Sequence, residues 1–161
     1  MRTREVFVLV DGLLATGRTI EAQTVWDQAI SLMCLPRVED PTGSLIWDGR
    51  SETDVTGGGL SWRFQKLPHI FIGYDEKVKH SGARALRVDF SVRENSNFRG
   101  VCQRVVVEPH VTYELSAWVR TRAVTEGGRV FLRIGEMGIP LRAVILGVRS
   151  CERSVNAGSK R

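Results

Sequence analysis

The chain predicts a mainly β protein, an antiparallel β-sandwich with an N-terminal α-helical hairpin in front of it. Three observations lead there. Residues 83–121 contain three runs of period-two alternation separated by turn chemistry, and alternation of that period asks for strands with one face buried. Shorter apolar runs bounded by Gly and Pro flank this stretch, bringing the expectation to about seven strands between residues 45 and 135. Residues 5–32 instead repeat their apolar side chains at helical spacing.

The helical part comes first. Val6, Leu9, Val10, Leu13 and Leu14 form one stripe, and Gly17 closes that helix. Thr19 is the expected N-cap of a second helix over residues 20–33, whose stripe is Ala22, Val25, Trp26 and Ala29. Two short helices joined by a tight turn make an αα-hairpin, assigned to residues 1–35. Residues 36–44 follow as a linker, with a strand expected at Leu45–Ile46–Trp47. Gly57–Gly58–Gly59 falls in a polar loop, followed by a strand over residues 60–66 and another over residues 69–74.

In the central stretch Leu86, Val88 and Phe90 face one way, and Arg87 and Asp89 the other. Val101, Gln103, Val105 and Val107 alternate with Cys102, Arg104 and Val106. Tyr113, Leu115, Ala117 and Val119 alternate with Glu114, Ser116, Trp118 and Arg120. Glu94–Asn97 and Glu108–His110 are the breaks between runs. Residues 129–134 alternate once more. Residues 136–161 form an atypical tail, expected to be loosely structured.

Bulk composition narrows the function classes. A hydrophobic fraction of 42% with 25% charged residues is ordinary globular composition. The formal charge of +5 is spread along the chain, with Arg149, Arg153, Lys160 and Arg161 in the tail. It reads as a solvated basic surface, and no nucleic-acid partner is expected. No apolar run reaches the ~18 residues of a membrane span. The opening basic and apolar residues are interrupted by Asp11, so no signal peptide is read. Cys34, Cys102 and Cys151 show neither disulfide framework nor metal spacing, and Cys102 is expected to be a half-buried filler. His69, His80 and His110 are scattered, without a nucleophile elbow or zinc motif. The glycine triplet lacks the Lys-Ser/Thr of a phosphate loop. No catalytic residue, metal or cofactor is assigned. Asp75, Glu76, Asp89 and Glu114 could supply carboxylates, but a glycosidase needs two of them ~5–9 Å apart.

Two resemblances add to this reading. Gly17, Ala22, Trp26 and Ala29, with Pro36 beyond them, resemble the second half of a tetratricopeptide repeat. The hairpin therefore reads either as the end of a helical array or as a pair packed on the sheet domain. His80–Ser81–Gly82 with Leu86, Gln103 with its valines and Pro109, and Tyr113–Trp118 with Arg120 are similar, in that order, to CenC-like carbohydrate-binding modules of families four and nine. This resemblance covers residues 45–135. It implies a jelly-roll, a polysaccharide or glycan partner and an extracytoplasmic setting. Arg50 and Ser51–Glu52 depart from the family pattern, and its late acidic calcium ligands are absent.

Sugar recognition needs flat aromatic faces and planar polar side chains. The candidate glycan-binding residues are Trp118 and Arg120 beside Ser116 and Glu114, then Arg87 and Asp89, then Trp62 and Arg63. The alternatives are a ligand-free scaffold engaging a protein partner through the N-terminal helices, and an accessory domain of a glycoside hydrolase.

Overall fold

The computed structural model describes residues 3–33, 43–91, 98–122, 135 and 148–150. The linker up to residue 42, the 94–97 break, the 129–134 strand and all of the tail except residues 148–150 lie outside the described residues. The chain divides into two compact units, Met1–Pro109 and His110–Arg161. The described elements are two helices and short strands in two-stranded sheets, a small mixed fold with no closed barrel.

Helix α1 spans Thr3–Ala15 and α2 spans Thr19–Leu32. Gly17 adopts φ +76°. Its amide donates to the Leu14 carbonyl at 3.2 Å, and that of Arg18 to the Leu13 carbonyl at 2.9 Å. This paired closure of the last turn requires the left-handed residue that glycine supplies cheaply. It also corrects the expected cap. Arg18 ends one helix and caps the next, its carbonyl accepting the first α2 bond from Ala22 at 3.0 Å. Thr19 is therefore already inside α2.

The helical stripes form the core. Val6, Val10 and Leu13 meet Ala22, Trp26, Ala29 and Ile30, and Leu60 from the following segment joins them. Leu9 stays exposed. Trp26 is only 1% exposed. Phe7 stacks on it at 6.0 Å between ring centroids, and Trp47 meets it edge-on at 5.4 Å. Burying the ring surface contributes about 3 kcal/mol, offset by about 1–3 kcal/mol because the buried indole N–H has no hydrogen-bond partner among the described residues. The glycine triplet makes the approach possible. A Cβ on Gly58 would strike the Phe7 side chain, and one on Gly59, at φ +57°, would lie 2.5 Å from the Trp26 ring. The hairpin is thus covered by this chain's own loop. Asp11 on α1 ties it down further, accepting from Arg63 at 2.6 Å and Arg104 at 3.1 Å.

Several expected strands are shorter than their alternation suggested. Leu45–Ile46–Trp47 is not a strand; residues 45–50 form a bend and turn. Asp48, buried and at φ +50°, explains this. Its carboxylate accepts from the Glu52 and Thr53 amides at 2.6 and 3.0 Å and from the Thr53 hydroxyl at 2.9 Å. A short acidic side chain that caps its own downstream amides stabilises a turn against a ladder. The 60–66 strand reduces to β1, Arg63–Phe64, paired antiparallel with β4, Val101–Cys102. Beyond Cys102 the 103–107 run is outside the strands. It is anchored through side chains instead: Gln103 donates to the Trp47 carbonyl at 2.7 Å, Arg104 binds Asp11, and Val106 packs on the core. Cys102 is exposed rather than half-buried.

The longest ladder is antiparallel, β2 (Ile70–Asp75) against β3 (Ala85–Phe90). In the second unit β5, Ala117–Val119, pairs with β6, Val148–Ser150. That pair is parallel, against the expected uniformly antiparallel arrangement, and it places three residues of the tail in a strand. Burial across residues 113–120 nevertheless alternates as the sequence asks, odd positions half-buried and even positions exposed.

Candidate functional site

The β2–β3 hairpin gathers the chemistry. Register pairs Phe71 with Asp89, Gly73 with Arg87 and Asp75 with Ala85. Side chains directly opposite share a face, so Phe71, Asp75, Arg87 and Asp89 stand on one side, around Gly73. Ile70, Ile72, Tyr74, Leu86, Val88 and Phe90 take the other.

Both ends of this hairpin are fixed. At the closed end, Asp75 accepts the Lys77 and Val78 amides, each at 2.9 Å. Those two bonds, Val78's first, hold its carboxyl below the usual value, with help from the Arg87 charge. Gly82, at φ +72°, turns the chain into β3, and a Cβ there would collide with the Glu52 carboxylate. Glu52 in turn accepts the Ala83 amide at 2.8 Å. Arg84 lies 3.8 Å over the Tyr74 ring, donates to the Ser51 carbonyl at 2.5 Å and binds Asp54 at 2.7 Å. The His-Ser-Gly turn is thereby clamped to the Asp48 loop. At the open end, His69 sits at φ +67° and its carbonyl accepts both the amide and the hydroxyl of Ser91.

The outward face is aromatic and polar. Phe71 is 63% exposed. Arg87 is fixed between two carboxylates, with Nε 2.8 and 2.9 Å from the Asp89 oxygens and Nη1 3.6 Å from Asp75. The bond to Asp89, then its charge, raises the Arg87 pKa. Guanidinium and carboxylates are thus preorganised, each with further donor or acceptor positions toward solvent. A shallow, open trough of about 280 Å³ lies at the open end, lined by His69, Ile70, Phe71, Asp89, Phe90 and Ser91. Phe90 is itself half exposed and meets Phe98 edge-on at 5.6 Å.

The other candidates are placed differently. Trp62 is half-buried, and its indole N–H donates to the Asp48 carbonyl at 3.0 Å. Arg63 spends one nitrogen on Asp11 at 2.6 Å and on the Gly59 carbonyl at 2.7 Å. Both brace the fold. Trp118 is 50% exposed on β5. Arg120 follows it, exposed on the same side of the alternating run as Glu114 and Ser116.

No family model, curated protein or solved structure matches this chain. Sequence reasoning found Arg87 and Asp89 but missed Phe71, which fell inside an expected strand without being read as outward. The signal was the Phe-x-Gly spacing in Ile70–Asp75, an aromatic followed on the same face by a residue with no side chain. Among the described residues no group of three or more His, Cys, Asp or Glu could hold a metal ion, and no helix is long and apolar enough to cross a membrane.

Proposed function

We propose that this chain is a non-catalytic glycan-binding domain on a jelly-roll-like β-sandwich, with the outward face of the β2–β3 hairpin as its primary platform. One observation carries the reading: an exposed Phe71 shares a face with a guanidinium preset between two carboxylates. The ring offers a surface for the C–H groups of a pyranose. Arg87 and Asp89 offer donors and acceptors to neighbouring hydroxyls, and the trough beside them is open to a polymer. Trp118 and Arg120 present similar chemistry in the second unit and are proposed as a separate candidate site. Asp75 is not suited to act as a general acid, which needs a raised pKa, because its own is shifted the other way.

Native affinity electrophoresis tests this. The full chain should be retarded in gels containing one of a soluble β-glucan, a xylan or a mannan, and Phe71→Ala should weaken that retardation well below wild type, leaving a measurable remainder from the polar groups, with circular dichroism unchanged. Free migration of the folded wild-type chain in all three gels would remove the reading.

A second reading, a scaffold that binds protein through its helices, is favoured by Val8 and Leu9, exposed on α1. Loss of a pulled-down partner on Val8→Asp/Leu9→Asp but not on Phe71→Ala would choose it.

A further inference from the structure

We propose that Gly73 is a positioning residue for glycan binding, acting through the ring of Phe71; the inference rests on the glycan reading above. Gly73 lies within β2, two residues from Phe71 and opposite Arg87. Glycine inside a strand ordinarily weakens it and marks a place where another group must approach closely. Here the approaching group is the Phe71 ring. A Cβ on Gly73 would lie 2.8 Å from Phe71 Cε1 and 2.9 Å from Cζ. The ring therefore leans along the strand and covers the bare backbone of Gly73, as aromatics do over strand glycines.

That placement has a functional consequence. Phe71 stands opposite Asp89, and Gly73 opposite Arg87. By leaning over Gly73 the ring moves toward Arg87, away from its own register position. Aromatic surface then covers the position opposite Arg87 on the same face, and a single sugar ring could meet both for stacking and hydroxyl bonding. Any side chain at position 73 would evict the ring from this position and leave it a free rotor. Phe71 would still be present and exposed, but it would have to be ordered at the moment of binding.

The test uses the full chain and whichever of the three polysaccharides retards it. Gly73→Ala should weaken retention about tenfold, the scale of one ordered aromatic contact. In the Phe71→Ala background the same substitution should change retention no further. Nuclear Overhauser contacts between the Phe71 ring and the Gly73 α-protons should be present in the wild-type chain, and both residues should shift on adding the polysaccharide. If Gly73→Ala is retained like wild type, or if it weakens retention equally in both backgrounds, the positioning role is overturned while the glycan reading stands. If Phe71→Ala is retained like wild type, or wild type is never retarded, the glycan reading falls and takes this inference with it. Should Gly73→Ala not fold, the wild-type contacts decide, and their absence overturns the proposal.

Discussion

The seam between the helices and the glycine loop makes a sharp prediction, because three glycines in this chain differ in what a methyl group would meet. Gly59 sits at φ +57°, and an added Cβ would fall 2.5 and 2.8 Å from two Trp26 ring carbons. The indole cannot retreat, being 1% exposed between Phe7 and Trp47. Gly59→Ala therefore combines a left-handed backbone cost of about 1–2 kcal/mol with overpacking of about 1–3 kcal/mol, about 2–5 kcal/mol in all. Gly57, at φ +102°, has nothing within 4 Å of its Cβ position, so Gly57→Ala carries the backbone term alone. Gly12 lies inside α1 with open space around it, so Gly12→Ala should stabilise the chain by about 0.5–1 kcal/mol. Urea unfolding followed by tryptophan fluorescence ranks the three. The expected order of midpoints is Gly12→Ala above wild type, then Gly57→Ala, then Gly59→Ala. A Gly59→Ala midpoint equal to that of Gly57→Ala would mean that the loop does not press on Trp26, and the claim that this chain covers its own helical stripe would fail.

Three further outcomes follow from the same geometry. Asp11→Ala removes the shared carboxylate of Arg63 and Arg104; the groups are partly exposed, so a loss of about 1 kcal/mol is expected, shrinking at high salt in the same urea assay. Arg87→Lys cannot fork between Asp89 and Asp75 as a guanidinium does; polysaccharide retention should fall about tenfold while the urea midpoint stays close to that of wild type. Asp75 has a folded pKa below its unfolded value, so its contribution is present above the unfolded value near 3.8 and is lost as pH falls through the lower folded value. The urea midpoint of Asp75→Ala should therefore lie below that of wild type at pH 6 and converge with it in acid, and a gap that persists in acid would contradict this.

What the sequence could show depended on whether a signal was local. The helical hairpin was legible because its stripe and its Gly17 stop are both short-range, and the only error at the turn arose where Arg18 serves two helices at once. The decorated side of β3 was legible from alternation and β2 from the breaks around it, but the pairing was not: the three alternating runs were expected in one sheet, and β3, β4 and β5 instead pair with β2, β1 and β6. The 103–107 run shows the limit of that signal. Here Gln103, Arg104, Val105 and Val106 are all half-buried and Val107 is exposed, against the alternation, because loops and helices rather than a ladder hold the run. Leu45–Ile46–Trp47 misled for a related reason: three apolar residues can seat a turn as well as a strand, and Asp48 decides through bonds to residues that follow it. The parallel partner of β5 lies about thirty residues away along the chain, and no local pattern announces such a pairing. Within the site, Arg87 and Asp89 were visible as outward charges. Phe71 was not, because its exposure depends on cross-strand register and on the empty position at Gly73.

The fold also bears on the choice between a glycan and a protein partner. A repeat-like hairpin engages neighbours through its small-residue and tryptophan stripe. In this chain Ala22, Trp26 and Ala29 are buried, and the covering surface is the chain's own Leu60, Trp47, Val55 and Val106. The side of the hairpin that would have received another helix is already occupied. Asp11 reinforces this by joining α1 to β1 and to the segment beyond β4. The helices thus serve the strands beside them, holding the Asp48 loop in place, and that loop holds the turn that opens β3 through Glu52 and Arg84. A continuous run of contacts leads from the helical core to the base of the hairpin whose outer face carries Phe71. Support of that kind costs conformational freedom at every step, and a face left exposed, aromatic and charge-fixed at its end is where a ligand gains most from it.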